Sequence, residues 1–206
     1  MLDIHSLMAR LSKRRPIFHS EADFQHALAW LIHETMQECG VRLEYPVKSE
    51  AHNPMHLDIW LPNEEAAIEL KYCTRQLALN WNDETFDLKG QSAQDTRRYD
   101  FLKDIQRLEQ VSPKTGFAVL LTNDPLFWGL PTKEWNEAGD AAFRIHEGQI
   151  IQGESVWSHK ASEGTKMGRV APISLKSSYT MHWQDYWSFP KEKSGHFRYL
   201  AVSVDP

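Results

Sequence analysis

The chain has 206 residues, 41% of them apolar and 25% charged, which is ordinary globular usage and argues against disorder. That length suits a single domain, residues 1–206, with room for a sizeable core. A net charge of −5 excludes a global basic field for gathering nucleic acid, although an acidic body can still carry a local basic groove.

Two cysteines, Cys39 and Cys73, lack Cys-x-x-Cys spacing, so no disulfide scaffold is expected and a reducing cytoplasm is the natural setting. No apolar run approaches the roughly 18 residues of a membrane helix, and the first residues lack the apolar core of a signal peptide.

Leu2, Ile4, Leu7, Met8 and Leu11 recur at helical spacing and predict a short first helix, ending in the basic run Lys13-Arg14-Arg15. Ser20 is a suitable N-cap, with Glu21 and Asp23 in the first turn, where the helix dipole favours acids. Phe24, Ala27, Leu28, Leu31 and Thr35 trace the apolar face of this second helix, which should stop at Gly40. Val41 to Val47 alternates and predicts a strand, with Pro46 at its end or on an edge.

Met55–Leu61 and Ala66–Tyr72 also alternate, and the four residues from Pro62 to Glu65 suit a hairpin loop. Strict alternation puts Leu57, Ile59 and Leu61 on one face and His56, Asp58 and Trp60 on the other. In the second run Ile68, Leu70 and Tyr72 oppose Glu69 and Lys71. The hairpin would therefore display Asp58, Glu69 and Lys71 on one rigid surface.

Residues 73–92 are polar with a few aromatics, Trp81 and Phe86 among them, and suggest an ordered loop or lid. Tyr99, Leu102, Ile105 and Leu108 predict a helix over Ala93–Val111. It also carries Arg97, Arg98, Lys103 and Arg107, offset by Asp95, Asp100, Asp104 and Glu109. Gly116–Thr122 is continuously apolar, as in a strand buried on both faces. Residues 125–196 lack clean periodicity but hold Trp128, Trp135, Trp157, Trp183 and Trp187. Within them Phe143–His146 and Gly148–Gly153 suggest a hairpin, and Lys160–Lys176 has a local positive excess. Arg198–Val204 alternates as a last strand. The expected fold is α/β: a mixed central sheet flanked by helices, with a core of about 17–124 plus 198–204, and 125–197 as an insertion or accessory region.

Asp58 on the second strand, Glu69-Leu70-Lys71 on the third, and the order αβββαβ over roughly residues 17–124 resemble the PD-(D/E)xK nuclease superfamily, the restriction-endonuclease-like fold. Leu57 replaces the Pro of the motif. Gln94 and Tyr99 are five apart instead of the four of the RecB-like branch, so no sub-family follows. The resemblance implies a Mg²⁺- or Mn²⁺-dependent phosphodiesterase acting on nucleic acid, DNA first. Asp58, Glu69 and the Leu70 carbonyl would be metal ligands, joined by the helix-borne Glu21, and Lys71 would orient or activate water. Residues placed to meet substrate are Gln91, Gln94, Arg97, Arg98, Lys166 and Arg169. No membrane role is expected, and a homodimer or a partner chain stays open.

The chemistry is coherent on its own terms. Hard carboxylate oxygens suit Mg²⁺, and phosphodiester hydrolysis needs charge neutralisation beside an activated water. Plainer readings stand beside it. Asp58, Glu69 and Lys71 could form a solvated cross-strand salt bridge worth under about 1 kcal/mol. Glu21 could simply favour its helix end. His26 and His33, on one helix face without a third ligand, read as surface residues. Arg97, Arg98 and Arg107 read as a solvated helix face, and the tryptophans as core. As whole-protein alternatives, the chain could be a non-catalytic nucleic-acid- or protein-binding module retaining the fold, or a defence or toxin effector working with a partner.

Overall fold

In the computed structural model residues 2–48, 54–130 and 138–204 are described. Trp135 and most of the loop expected between Lys48 and Pro54 lie outside them.

Two helices open the chain. Helix α1 (Ile4–Arg14) is capped by the Asp3 carboxylate, which accepts from the Ser6 N–H at 3.1 Å, and it buries Ile4, Leu7, Met8 and Leu11. Helix α2 (Glu21–Thr35) starts as expected, with the Ser20 hydroxyl accepting from the Asp23 N–H at 3.1 Å. It ends at Thr35, short of Gly40. The Met36 N–H closes the last turn on the Ile32 carbonyl, and Gly40, at φ +69°, serves the turn into the first strand. Thr35 is exposed, and the buried face runs through Phe24, Leu28, Ala29, Leu31 and Ile32.

Strands β1 (Arg42–Lys48), β2 (Pro54–Leu61) and β3 (Ala66–Cys73) form an antiparallel meander. Residues 73–92 contain a hairpin, β4 (Leu77–Trp81) and β5 (Glu84–Leu88). Its two-residue turn, Asn82 and Asp83, has both φ values positive, the left-handed pattern that matches the twist of short paired strands. Helix α3 (Gln94–Val111) then crosses to β6 (Thr115–Thr122), which lies parallel to β3. Beyond it come β7 (Ile150–Ser155), the short α4 (Glu163–Lys166), β8 (Ile173–Thr180), β9 (Trp183–Ser188) and β10 (His196–Val204).

The result is a mixed α/β fold with a six-stranded sheet in the order β1-β2-β3-β6-β10-β9. One face packs under α1 and α2 through Phe24, Leu28, Ile59, Ile68, Leu70 and Val119. The other packs under α3 through Ala67, Leu102, Ile105, Ala118 and Leu120. Strand β6 is thus apolar on both faces, as its continuous run predicts.

The region after residue 125 differs from expectation. Phe143–His146 and Gly148–Gly153 form no hairpin with each other, since β7 pairs with β8 instead. Asp140 accepts from Arg98 and Arg144, each at 2.7 Å, which fixes Ala141–Phe143 as a 3₁₀ turn against α3 with Phe143 fully buried. Strand β9 extends the main sheet. Trp128, Trp157, Trp183 and Trp187 all pack against the two cores. Among the described residues no helix is long and apolar enough to cross a membrane.

Candidate functional site

The site begins where two strands part. β2 and β3 are paired only at Ile59↔Ile68, Trp60↔Ala67 and Leu61↔Ala66. Past that point β2 diverges, and the N–H groups that β3 points toward it need other acceptors. Two carboxylates supply them. Asp58 Oδ2 accepts from the Leu70 N–H at 2.6 Å, and Glu21 Oε2 from the Tyr72 N–H at 2.8 Å. Those N–H groups are two residues apart, about 6.6 Å along a strand. The fork thus fixes both acids at one strand edge.

Gln25, one turn beyond Glu21 on α2, ties the fork together. Its amide donates to the Asp58 carbonyl at 2.8 Å and to Glu44 Oε1 at 2.9 Å. Glu44 adopts φ +49° between the pairs Leu43↔Ile59 and Tyr45↔Leu57, so β1 is irregular opposite Asp58. The alternation of β2 fails at the same place. Leu57 and Trp60 pack toward α3, whereas Ile59 and Leu61 pack toward α1 and α2, which corrects the expectation that 57, 59 and 61 share a face.

Glu69 and Lys71 do share a face, but α3 covers it. Glu69 is only 1% exposed. Lys71 Nζ lies 2.8 Å from Asp104 Oδ2 and donates to the Leu70 carbonyl at 3.0 Å. Arg107 donates from Nη1 to Asp104 Oδ1 at 3.1 Å and from Nη2 to the His56 carbonyl. Its Nη2 is also 3.3 Å from Glu69 Oε1, but not aligned for a hydrogen bond. Neither carboxylate oxygen of Glu69 has a hydrogen-bond partner. A buried carboxylate without hydrogen bonds is costly to the fold.

The electrostatics follow from that burial. Desolvation, then Asp104 and Asp58 as like charges, push Glu69 up to about 9. Burial raises Asp58 as well, opposed by the Leu70 N–H and Lys71. Burial alone would lower Lys71, but Asp104, Glu21 and Asp58 outweigh it and hold its ammonium above the ordinary lysine range. Lys71 is therefore a fixed cation and a poor proton acceptor.

Of the residues singled out in the sequence, Asp58, Glu69, Lys71, the Leu70 carbonyl and Glu21 fall together at the fork. Gln91 and Arg97 line a cavity of about 450 Å³ beside Glu21. The other candidates are engaged elsewhere. The Gln94 amide donates to Asp124 at 2.8 Å, and Lys166 pairs with Glu163 at 2.5 Å. Arg98 is buried on Asp140, the Leu126 carbonyl and the Phe127 ring, not on a solvated helix face. Arg169 is held two-pronged by Asp100, both contacts 2.7 Å.

Asp104, Arg107, Gln25 and Glu44 are site residues that sequence reasoning missed. One signal was available: Phe101, Asp104, Ile105 and Leu108 form a buried helical stripe, so Asp104 is an acid where an apolar residue belongs.

The oxygens gathered at the fork are hard donors: those of Asp58, Glu69 and Glu21, and the Leu70 carbonyl that accepts from Lys71. Among the described residues no three His, Cys, Asp or Glu side chains are already gathered as a metal cage. Mg²⁺ binds through one or two carboxylates and keeps several waters, so Asp58 and Glu69 are the pair to test as its ligands. Compared with protein families, curated proteins and solved structures, the chain matches none of them.

Proposed function

We propose that the chain is a metal-dependent nuclease with a restriction-endonuclease-like core, hydrolysing phosphodiester bonds of nucleic acid at the β2–β3 fork. One observation carries the reading: Glu69 is buried beside Asp58 with neither oxygen hydrogen-bonded, and it shares its strand face with a lysine held by Asp104. Asp58 and Glu69 would hold a Mg²⁺ or Mn²⁺ ion, which when bound supplies charge neutralisation at the phosphate and a more acidic water.

The chain's own residues do the rest. The Lys71 ammonium, held by Asp104, would orient water and balance negative charge building on the phosphate. Its protonated state assigns it orientation and charge, and leaves proton removal to another group. Asp104 and Arg107 keep Lys71 and Glu69 in place from α3, and Gln25 keeps Asp58 in place from α2. A surface salt bridge does not describe this arrangement, because α3 buries it.

Purified protein should be incubated with Mg²⁺ or Mn²⁺ and plasmid, duplex and single-stranded DNA, and RNA. Cleavage that EDTA stops, and that is lost in Asp58→Asn, Glu69→Gln and Lys71→Met, supports the reading. No cleavage of any of these substrates, or cleavage indifferent to the three changes, overturns it.

A further inference from the structure

We propose that the cavity between the N-terminal end of α2 and the β4–β5 hairpin is a subsite for the phosphodiester backbone of one nucleic-acid strand, gripped by Lys89 and Arg97. This deepens the nuclease reading and rests on it for the position of the scissile phosphate.

The cavity, about 450 Å³, has Tyr72 and Thr74 of the outgoing β3 chain as its floor. One wall is Ser20 and Glu21, and the other is Asp87, Leu88 and Lys89. Arg97 and Gln91 close it from the α3 side. Its inner end is Glu21, whose carboxylate holds the N–H two residues along the same strand edge from the one Asp58 holds. Glu21 and Tyr72 are therefore shared by the cavity lining and the strand edge of the fork.

Charge singles out its cations. Several other arginines are occupied: Arg15 with Asp23, Arg75 near Asp124, Arg98 with Asp140, Arg107 with Asp104 and Arg169 with Asp100. Among the described residues Lys89 and Arg97 make no ion pair. A guanidinium and an ammonium left unpaired around one cleft suit an anion with repeating charges, and a phosphodiester strand is such a ligand. Asp87 and Glu21 share the cleft, so a ligand seated at its cationic rim is favoured over one filling it.

The hairpin wall is built in advance. His19 pairs with Glu84 at 2.8 Å and stacks on Phe86 at 4.4 Å. At the hairpin's base the Thr74 hydroxyl donates to the Lys89 carbonyl, and the Gln91 N–H donates to the Thr74 carbonyl, both at 2.8 Å. Such a wall lowers the ordering cost of binding. Both cations border this one cleft, so they meet the backbone of a single strand.

The test uses Glu69→Gln protein in EDTA, so that nothing is cut, with a fluorescently labelled 12-nucleotide oligothymidine read by anisotropy. Adding Lys89→Ala and Arg97→Ala should weaken binding by about tenfold or more. It should also flatten the slope of log affinity against log salt by about 1.4, since each single-strand phosphate contact contributes about 0.7. Arg97→Lys alone should keep the slope, and the exposed Lys191→Ala should change nothing. The subsite is overturned if the oligonucleotide does not bind, if the double change alters neither affinity nor slope, or if a blunt duplex of the same length binds equally well. Oligonucleotide binding that depends on Lys89 and Arg97, in a protein whose wild type cuts nothing with Mg²⁺, sustains the subsite and refutes the nuclease. Cleavage with KM unchanged by the double change does the reverse.

Discussion

Lys71 Nζ on β3 and Asp104 Oδ2 on α3 sit 2.8 Å apart with both side chains largely buried, so the cation of the site is positioned by a helix and not by its own hairpin. Removing one partner leaves an uncompensated buried charge. Asp104→Leu and Lys71→Met should each cost about 3–5 kcal/mol in urea unfolding, and the double change less than either single one. If Lys71 orients water, Asp104→Asn should lower kcat about 100-fold with KM nearly constant, because a displacement near 1 Å is enough for that loss. Steady-state cleavage rates check it.

Glu69 gives an unusual pH dependence to the metal-free protein. Its folded-state value, about 9, lies above the ordinary carboxylate value of 4.5, so the folded state holds the proton more tightly. The stability this contributes is complete below about 4.5 and is lost as pH rises toward about 9. In EDTA, wild-type protein should therefore melt at lower temperature at pH 8.5 than at pH 6, and Glu69→Gln should flatten that trend. A cation on Glu69 must displace the proton, so Mg²⁺ should stabilise the wild type more at pH 8.5 than at pH 6, and Glu69→Gln at neither. Thermal melts across pH, with and without Mg²⁺, measure both.

Arg97 and Arg98 are neighbours with opposite tasks. Arg98 is 3% exposed, bonded to Asp140 and the Leu126 carbonyl and set over Phe127. Arg98→Ala should cost about 1–3 kcal/mol of folding stability, seen by urea titration, because it takes the guanidinium from the Leu126 carbonyl and leaves Asp140 to Arg144. Arg97→Ala should cost under about 1 kcal/mol and act on oligonucleotide affinity instead.

Cys73 is 2% exposed, and burial pushes its thiol up to about 12. Mass spectrometry after maleimide treatment should show it unmodified in the folded protein and modified in urea. Rapid labelling without denaturant would mean that β3 opens at its C-terminal end.

The β2–β3 hairpin, α3 and β6 were legible because alternation and helical spacing are local and each was backed by its own end signals. Alternation puts Glu69 and Lys71 on one face, whereas Asp58 joins them through the fork, where the alternation of β2 fails. Their environment was not legible: the pattern put them on a solvated face, and only the packing of α3 shows that Glu69 is buried. The fork at Asp58 was hidden too, since Gln25 and Glu44 hold it from neighbouring elements. The β4–β5 hairpin was passed over because its strands are five residues each and its turn is Asn82-Asp83, lacking the glycine that most often marks such turns. Arg98 read as solvated because its partner, Asp140, arrives from a stretch without periodicity.

The β3–β6 ladder is the one parallel pairing among the described residues, and its register sets Glu69 against Ala118 and Lys71 against Leu120. Closing it spans about 50 residues, whereas the β1–β2–β3 meander and the β4–β5 hairpin need only local contacts. Long-range pairing bears its loop entropy before contacts reward it, so this ladder is a late event in folding. Until it closes, α3 has no platform on which to bring Asp104 and Arg107 over the acids. Asp58 and Glu69 therefore lie on one hairpin before Lys71 meets Asp104, and assembly of the cluster is coupled to closure of that ladder.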